Sequence, residues 1–345
     1  MAELRVDRKY KSALSLRETE RAIKFIKDAF QTNLARDLRL QRVSAPLFVR
    51  KGTGINDDLG GTENKVSFKI KDDRSGAEVV FSLAKWKRMV LADYKFSPGE
   101  GLYTDMNAIR PDEDCLDNIH SVYVDQWDWE RILTKKQRNL AFLKTIVRKI
   151  YAALRETEAA VHKKYPGLRP VLPEEITFIH SEDLARMYPG LTPRNREHRA
   201  ARTHGAIFII GIGAELHDGK THDNRAPDYD DWTTPTIRGR KGLNGDIFVW
   251  YEPLRIALEL SSMGIRVNKP ALLKQLKIKN ASGRKGLYWH KRLLAGRLPQ
   301  TIGGGIGQSR LCMFLLKKLH IGEVHASVWP EPMAAACAKA GIRLL

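Results

Sequence analysis

Cysteine is scarce. The three present (Cys115, Cys312 and Cys337) are odd in number and far apart, which excludes a disulfide framework and a zinc ligand set and suits a reducing compartment. Long apolar runs are missing too. The longest lies near 206–214, far short of the ~20 residues that cross a bilayer as a helix. The opening residues MAELRVDRKYKS hold no apolar segment, so no secretory signal is expected there, and their acids argue against a transit peptide. A cytoplasmic protein with no membrane contact is the expectation. Internal repeats and low-complexity linkers are absent. Acid is short relative to base, 40 Asp and Glu against 59 Lys and Arg, for a net charge of +19. That balance suits a polyanionic substrate such as a nucleotide, a nucleic-acid partner, or a plainly basic surface. Part of the excess is local: Lys274 to Arg297 holds eight Lys/Arg and no acid. It reads as a basic amphipathic helix pair with a solvated face, and RNA contact is the sharper alternative.

What is present fits a soluble, folded protein. The 345 residues, 43% hydrophobic, are enough for one large domain or two small ones with a real core. Ser15-Leu-Arg-Glu18 is a capping box, and apolar residues from Ala22 to Leu34 recur at helical spacing to about Asp37. Leu40 to Arg50 reads as a strand interrupted at Pro46. Val66, Phe68 and Ile70 alternate with polar residues and pair with Glu78 to Ser82 across a turn at 72–76. A short helix from Ala84 follows, then strands 101–109 and 120–129, and a long helix capped by Thr134. Later come strands near Phe178 and from Ala206, two strands flanking a short helix (246–251 and 258–267), the basic helices, a Gly-rich turn with its helix, and a closing strand from Val324 to Trp329. Strands paired by turns, with helices clustered at the ends, predict an α+β fold on an antiparallel sheet.

The Gly-rich stretch holds Gly303, Gly304, Gly305 and Gly307, followed by Arg310 on an apolar helical run. Glycines admit close backbone approach, a helix N-terminus attracts anions, and a guanidinium forks onto phosphate. Nucleotide binding through Gly305, Gly307 and Arg310, or a packed turn with a structural ion pair, both fit. Gln126, Asp128 and Glu130 share one strand face while Trp127 and Trp129 take the other, which predicts a polar site floored by a sheet. Asp246 and Glu259 lie near the ends of two strands, where paired carboxylates suit Mg²⁺ carried with nucleotide phosphates. Arg266 fits a carboxylate or phosphate clamp or a surface ion pair. Lys87 is one lysine among many. Asp57, Asp228, Asp230 and Asp231 sit in loops, where turn chemistry is the plain explanation. Arg110 opens a loop between two strands. His222-Asp223 lacks a partner pair at ligand spacing.

Taken in order, these pieces resemble two related families. The helix to Asp37 and the strand reaching Pro46, Arg110-Pro-Asp-Glu-Asp with Gln126-x-Asp128-x-Glu130, and Glu259-x5-Gly264-x-Arg266 with Gly303-Gly-Gly-x-Gly307-x-x-Arg310 resemble the three motifs of class II aminoacyl-tRNA synthetases, nearest the aspartyl and asparaginyl members. The closer resemblance is to the aspartate-ammonia ligases. It rests on Ser82-Leu-Ala-Lys-Trp-Lys-Arg88, Gly99 to Thr104, His120 to Glu130, Ala226-Pro-Asp-Tyr-Asp-Asp-Trp232, Leu243-Asn-Gly-Asp-Ile247 and Pro299 to Arg310. The basic stretch and the N-terminal dozen residues depart from that pattern.

The resemblance implies one class II synthetase-like catalytic domain over 15–345 behind an extension at 1–14, a homodimer, and ATP with Mg²⁺. It implies amidation of aspartate by ammonia through a β-aspartyl-adenylate, giving asparagine, AMP and pyrophosphate. Arg110 would hold the α-phosphate, Arg310 the γ-phosphate or adenine, and Asp246 and Glu259 the Mg²⁺. Lys87 and Arg266 would grip the α-carboxylate within a substrate set that includes Ser82. Asp57, Gln126 and Asp128 would orient the α-ammonium, and Asp230, with Asp228 near it, would take a proton from ammonium. Two alternatives remain: a shortened aspartyl- or asparaginyl-tRNA synthetase paralogue, and a synthetase-like RNA-binding protein. Only about fourteen residues precede the first helix, too few for an anticodon-binding barrel.

Overall fold

The computed structural model describes residues 4–7, 9–56, 64–112 and 116–345, with the backbone alone at 73 and 74. Asp57 and Cys115 lie outside the described residues. Helix α1 (Leu16–Leu38) begins where the capping box places it: Ser15 Oγ accepts from the Glu18 N–H, and the Glu18 carboxylate accepts from the Ser15 N–H. Ala22, Ile26, Phe30, Leu34 and Leu38 form its buried stripe. The strand expected over 40–50 is two strands in different sheets, β1 (Leu40–Arg42) and β2 (Phe48–Arg50). Pro46 falls between them, where its missing N–H costs no ladder bond. Strands β3 (Ser67–Ile70) and β4 (Asp73–Val79) form the predicted hairpin around a tighter turn, and with β2 they make a small antiparallel sheet.

The remaining elements are α2 (Ala84–Asp93), β5 (Gly101–Ile109), β6 (Tyr123–Ile132), α3 (Leu140–Lys164), β7 (Thr177–His180), α4 (Ser181–Met187), α5 (Pro193–His204), β8 (Ala206–Ile210), β9 (Asn244–Tyr251), β10 (Ile256–Ile265), α6 (Lys269–Ile278), α7 (Tyr288–Leu294), β11 (Thr301–Gly307), α8 (Gln308–Leu315) and α9 (Glu331–Lys339). The main sheet runs β1-β5-β6-β11-β10-β9-β8-β7. Its six central strands are antiparallel, and only the edge pairs β1–β5 and β7–β8 are parallel. The α+β class with an antiparallel sheet therefore holds.

Four local readings change. Thr134 caps a 3-10 turn (Lys135–Gln137), and Asn139 caps α3, its side chain accepting from the Phe142 N–H. No helix separates β9 from β10; a tight turn with left-handed Arg255 joins them. The stretch from Val324 to Trp329 is not a strand. The glycine run is not a turn but β11 itself, in the middle of the sheet. Its glycines make room: a Cβ on Gly303 would stand 1.9 Å from Glu130 Oε2, and one on Gly305 would stand 2.3 Å from Gln126 Oε1.

The two faces of the sheet divide the labour. On one, α1, α3 and α8 pack on Trp127, Trp129, Met263, Ile302 and Ile306 as the main core, with the Phe30 and Trp127 rings 4.7 Å apart. The other face carries Gln126, Asp128, Glu130, Asp246, Glu259 and Arg266. A β-bulge between Glu259 and Ser261 makes this possible. Residues seven apart on a regular strand point to opposite faces. Leu258 faces the core before the bulge, Leu260 is the extra residue within it, and Met263 and Ile265 face the core afterwards, so Glu259 and Arg266 share the open face.

Candidate active site

That open face floors a cavity of ≈ 630 Å³. Ser82, Lys87, Arg110, Gln126, Asp128, Asp230, Glu259, Arg266, Gly305, Gly307 and Arg310 all line it, so the structure brings together residues spread over 229 positions of sequence, from 82 to 310.

A buried charge network occupies the middle of the floor. Helix α2 turns its cations inward, and Lys87 Nζ reaches Asp128 Oδ2 at 3.1 Å and the Gly304 carbonyl at 3.1 Å. Burial pushes the Lys87 ammonium down from its usual range, and Asp128 and Glu130 oppose that shift. Arg266 donates from Nε to both Glu130 oxygens at 3.1 Å, from Nη2 to Oε2 at 2.9 Å, and from Nη1 to Asp230 Oδ1 at 2.5 Å. A planar guanidinium held by two carboxylates is pre-aligned for a further carboxylate. Asp230 is 1% exposed, and burial pushes its carboxyl up although Arg266 pulls it down.

A second cluster lies at the bulge. Arg310, in the first turn of α8, donates from Nη1 to the Glu259 carbonyl at 3.2 Å and stands 3.6 Å from Glu259 Oε2. Arg110 Nη2 donates to the Phe81 carbonyl at 3.2 Å. Asp246 is buried beneath the lining and bonds Arg225, whose other branch holds Asp223 at 2.5 Å. Burial, with Glu259 nearby, pushes the Asp246 carboxyl up to about 7 against the pull of Arg225.

One predicted substrate-binding residue sits elsewhere. Asp228 is fully buried and does not line the cavity; Lys85, Arg284 and His290 take its Oδ2. Asp231 is bound by Arg138. His222 bonds Glu197 at 2.9 Å, and no cluster of three metal-ligating side chains occurs among the described residues. Sequence reasoning missed Arg225 and weighed Asp223 only as half of a metal pair; both line the cavity, and nothing local distinguishes them from other loop charges. It also gave Glu130 no role, although the spacing Gln126-x-Asp128-x-Glu130 placed it on the right face.

A polar cavity on the open face of a largely antiparallel sheet, lined by Arg110, Arg266 and Arg310, defines the class: a class II aminoacyl-tRNA synthetase-like catalytic fold. Solved structures agree. Asparaginyl-tRNA synthetase from Pyrococcus horikoshii, complexed with asparaginyl-adenylate, matches with a TM-score of 0.67 at 15% identity, over 91% of this chain and 70% of that one. The Entamoeba histolytica asparaginyl-tRNA synthetase, also with asparaginyl-adenylate, matches at 0.64 and 14% identity, over 90% of this chain and 66% of that one. The aspartate-ammonia ligase family profile matches residues 17–341. The aspartate-ammonia ligase of Parabacteroides distasonis is 60% identical over 337 residues, 97% of each chain, and that of Clostridium perfringens 56% over 346 residues, 100% of each. The chain belongs to the aspartate-ammonia ligase family.

Proposed function

We propose that the cavity is where the β-carboxylate of aspartate is first adenylated and then amidated. The protein is an AMP-forming ligase by family, and the overall reaction takes aspartate, ATP and ammonia to asparagine, AMP and pyrophosphate. The observation that carries the site reading is the pair of charged clusters on one floor: Lys87–Asp128 with Arg266–Glu130–Asp230, and Arg310–Glu259 with Arg110.

A carboxylate is a poor electrophile at neutral pH. Its oxygen attacks the α-phosphorus of ATP, pyrophosphate leaves, and ammonia then displaces AMP from the acyl carbon. Arg110 holds the α-phosphate, where negative charge accumulates, and Arg310 the far phosphates or the adenine. Gly305 and Gly307 leave the strand surface low enough for substrate to approach. Lys87 and Arg266 grip the α-carboxylate, with Ser82 beside them, while Gln126 and Asp128, together with Asp57, orient the α-ammonium. Asp230 receives the proton that ammonium must lose before it can attack.

The residues present fit Mg²⁺. Among the described residues Asp246 Oδ1 is a buried acceptor that meets no hydrogen-bond donor, and the repulsion between Asp246 and Glu259 is what a divalent cation relieves. These two would hold the ion, which supplies neutralising charge for the leaving pyrophosphate.

The same reading makes the protein a cytoplasmic homodimer with a single catalytic domain. Its N-terminal extension is tied to that domain by Arg5 N–H to Asn118 Oδ1 at 2.8 Å and by Tyr10 OH to Glu323 Oε2 at 2.9 Å. Among the described residues no helix is long and apolar enough to cross a membrane.

The test is an assay with aspartate, ATP and Mg²⁺, with and without ammonium chloride. Asparagine and AMP formed only with ammonium, whatever RNA or glutamine is added, is the expected result. Pyrophosphate exchange that yields no amide and is discharged onto tRNA would refute it.

A further inference from the structure

The basic stretch from Lys274 to Arg297 has no part in the chemistry above, yet several of its side chains turn inward. Gln275 of α6 is fully buried; its amide donates to the carbonyls of Pro227 and Asp230, both at 2.9 Å, and its Oε1 accepts from the Trp232 N–H at 3.0 Å. Arg284, in the 3-10 turn between α6 and α7, and His290 of α7 each reach Asp228 Oδ2 at 3.0 Å. Lys279 Nζ holds Asn224 Oδ1 at 2.5 Å. On the opposite side the Trp289 N–H donates to the Thr53 carbonyl at 3.3 Å, and Gly54 packs so closely that a Cβ would stand 2.9 Å from Leu287 and 3.2 Å from His290 Nδ1. The bonds of Gln275, Lys279, Arg284 and His290 all land on residues 224–232, which carry Arg225, Tyr229 and Asp230 of the cavity lining.

We infer that the α6–α7 segment is a brace that fixes the loop bearing Tyr229 and Asp230 against the aspartate end of the cavity, with Asp228, Gln275, Arg284 and His290 as positioning residues. Successive acids of this loop are shared out by direction. Asp228 goes to the brace, Asp230 to Arg266 and Asp231 to Arg138. The brace thus anchors one side of an extended segment whose other side presents Asp230. A buried carboxylate keeps its charge only with such partners, which accounts for inward cations in a segment whose other lysines are solvated.

The inference rests on the aspartate reading of the cavity, so the wild-type enzyme is assayed first for ammonium-dependent asparagine formation. Failure there would sink the reaction assignment and not the brace. Next, Arg284→Met and Arg284→Lys are compared by KM for aspartate, KM for ATP and kcat per titrated active site. Arg284→Met is expected to raise KM for aspartate at least ~10-fold, as a misplacement on the order of 1 Å does, with KM for ATP within about twofold and Arg284→Lys restoring most of the loss. Gln275→Met, which cuts the same loop free at a second point, is expected to give the same split and serves if Arg284→Met does not fold. An unchanged KM for aspartate with a lowered melting temperature would overturn the inference. So would equal rises in both KM values, or an unchanged KM with loss of salt-dependent RNA retention, which would return the segment to nucleic-acid contact.

Discussion

In the proposed reaction, Asp230 is the residue on which the second half-reaction depends. Ammonium has no lone pair, so a base must take its proton, and a carboxyl whose hold on a proton is strengthened by burial suits that transfer. Its bond to Arg266 places it beside the group that would grip aspartate. Asp230→Asn is expected to reduce amide formation by ~10² or more while sparing aspartate-dependent pyrophosphate exchange to within about tenfold. Both half-reactions, followed separately in the same preparation, check this; equal loss in both would reassign Asp230 to holding Arg266. Glu130, fully buried and bonded to Arg266 through three contacts, is the residue that keeps that guanidinium in plane. Its identity was visible in the sequence, but its partner, 136 positions away, was not.

Strand β11 is the element that makes the site possible. Its neighbours carry large side chains toward the open face, and only glycine leaves them room. The positions differ in what a methyl group would meet. At Gly303 it would strike Glu130 Oε2 at 1.9 Å, a side chain pinned by Arg266, so that change is a folding defect. At Gly305 it would meet the ends of Gln126 at 2.3 Å and Asp128 at 2.7 Å. These ends border the cavity and can shift into it. Gly305→Ala is therefore expected to raise KM for aspartate at least ~10-fold with the fold retained, read from steady-state kinetics alongside circular dichroism. A cooperative loss of structure would place Gly305 with Gly303. The sequence showed four glycines and suggested a turn. The strand emerged only from pairing with β6 and β10, since a Gly-rich run has no intrinsic preference for extended structure.

At the scale of the whole molecule, stability should fall in acid through one buried and one half-buried histidine. His320 is fully buried, its Nδ1 accepting from the Gly322 N–H and its ring 4.8 Å edge-on to Trp329, and burial pushes it down to about 4. His198 is pushed to about 4 by burial, with Arg194 and Arg5 adding to the shift. Both start from 6.5, so between pH 6.5 and 4 the unfolded chain binds protons that the folded chain resists. Their contribution is complete above pH 6.5 and is lost as pH falls toward 4, up to ~3 kcal/mol for His320. Buried Glu323, raised by burial, acts in the opposite sense. The comparison is therefore wild type against His320→Asn, which retains an acceptor. The variant's melting temperature is expected to fall less between pH 7 and 4.5, and parallel curves would show that His320 is not the acid-sensitive group.

By itself the sequence determined the helix stripe and cap of α1, the β3–β4 hairpin, the polar face of β6, the antiparallel class and nearly every cavity-lining charge that it nominated. These are written in local periodicity and in motifs that span a few residues. Tertiary structure alone decided the rest. The bulge put Glu259 and Arg266 on one face, β11 threaded as a strand between β6 and β10, and Asp228 was buried against Lys85, Arg284 and His290. Each depends on which distant segment lies alongside, and neither side-chain spacing nor composition carries that information.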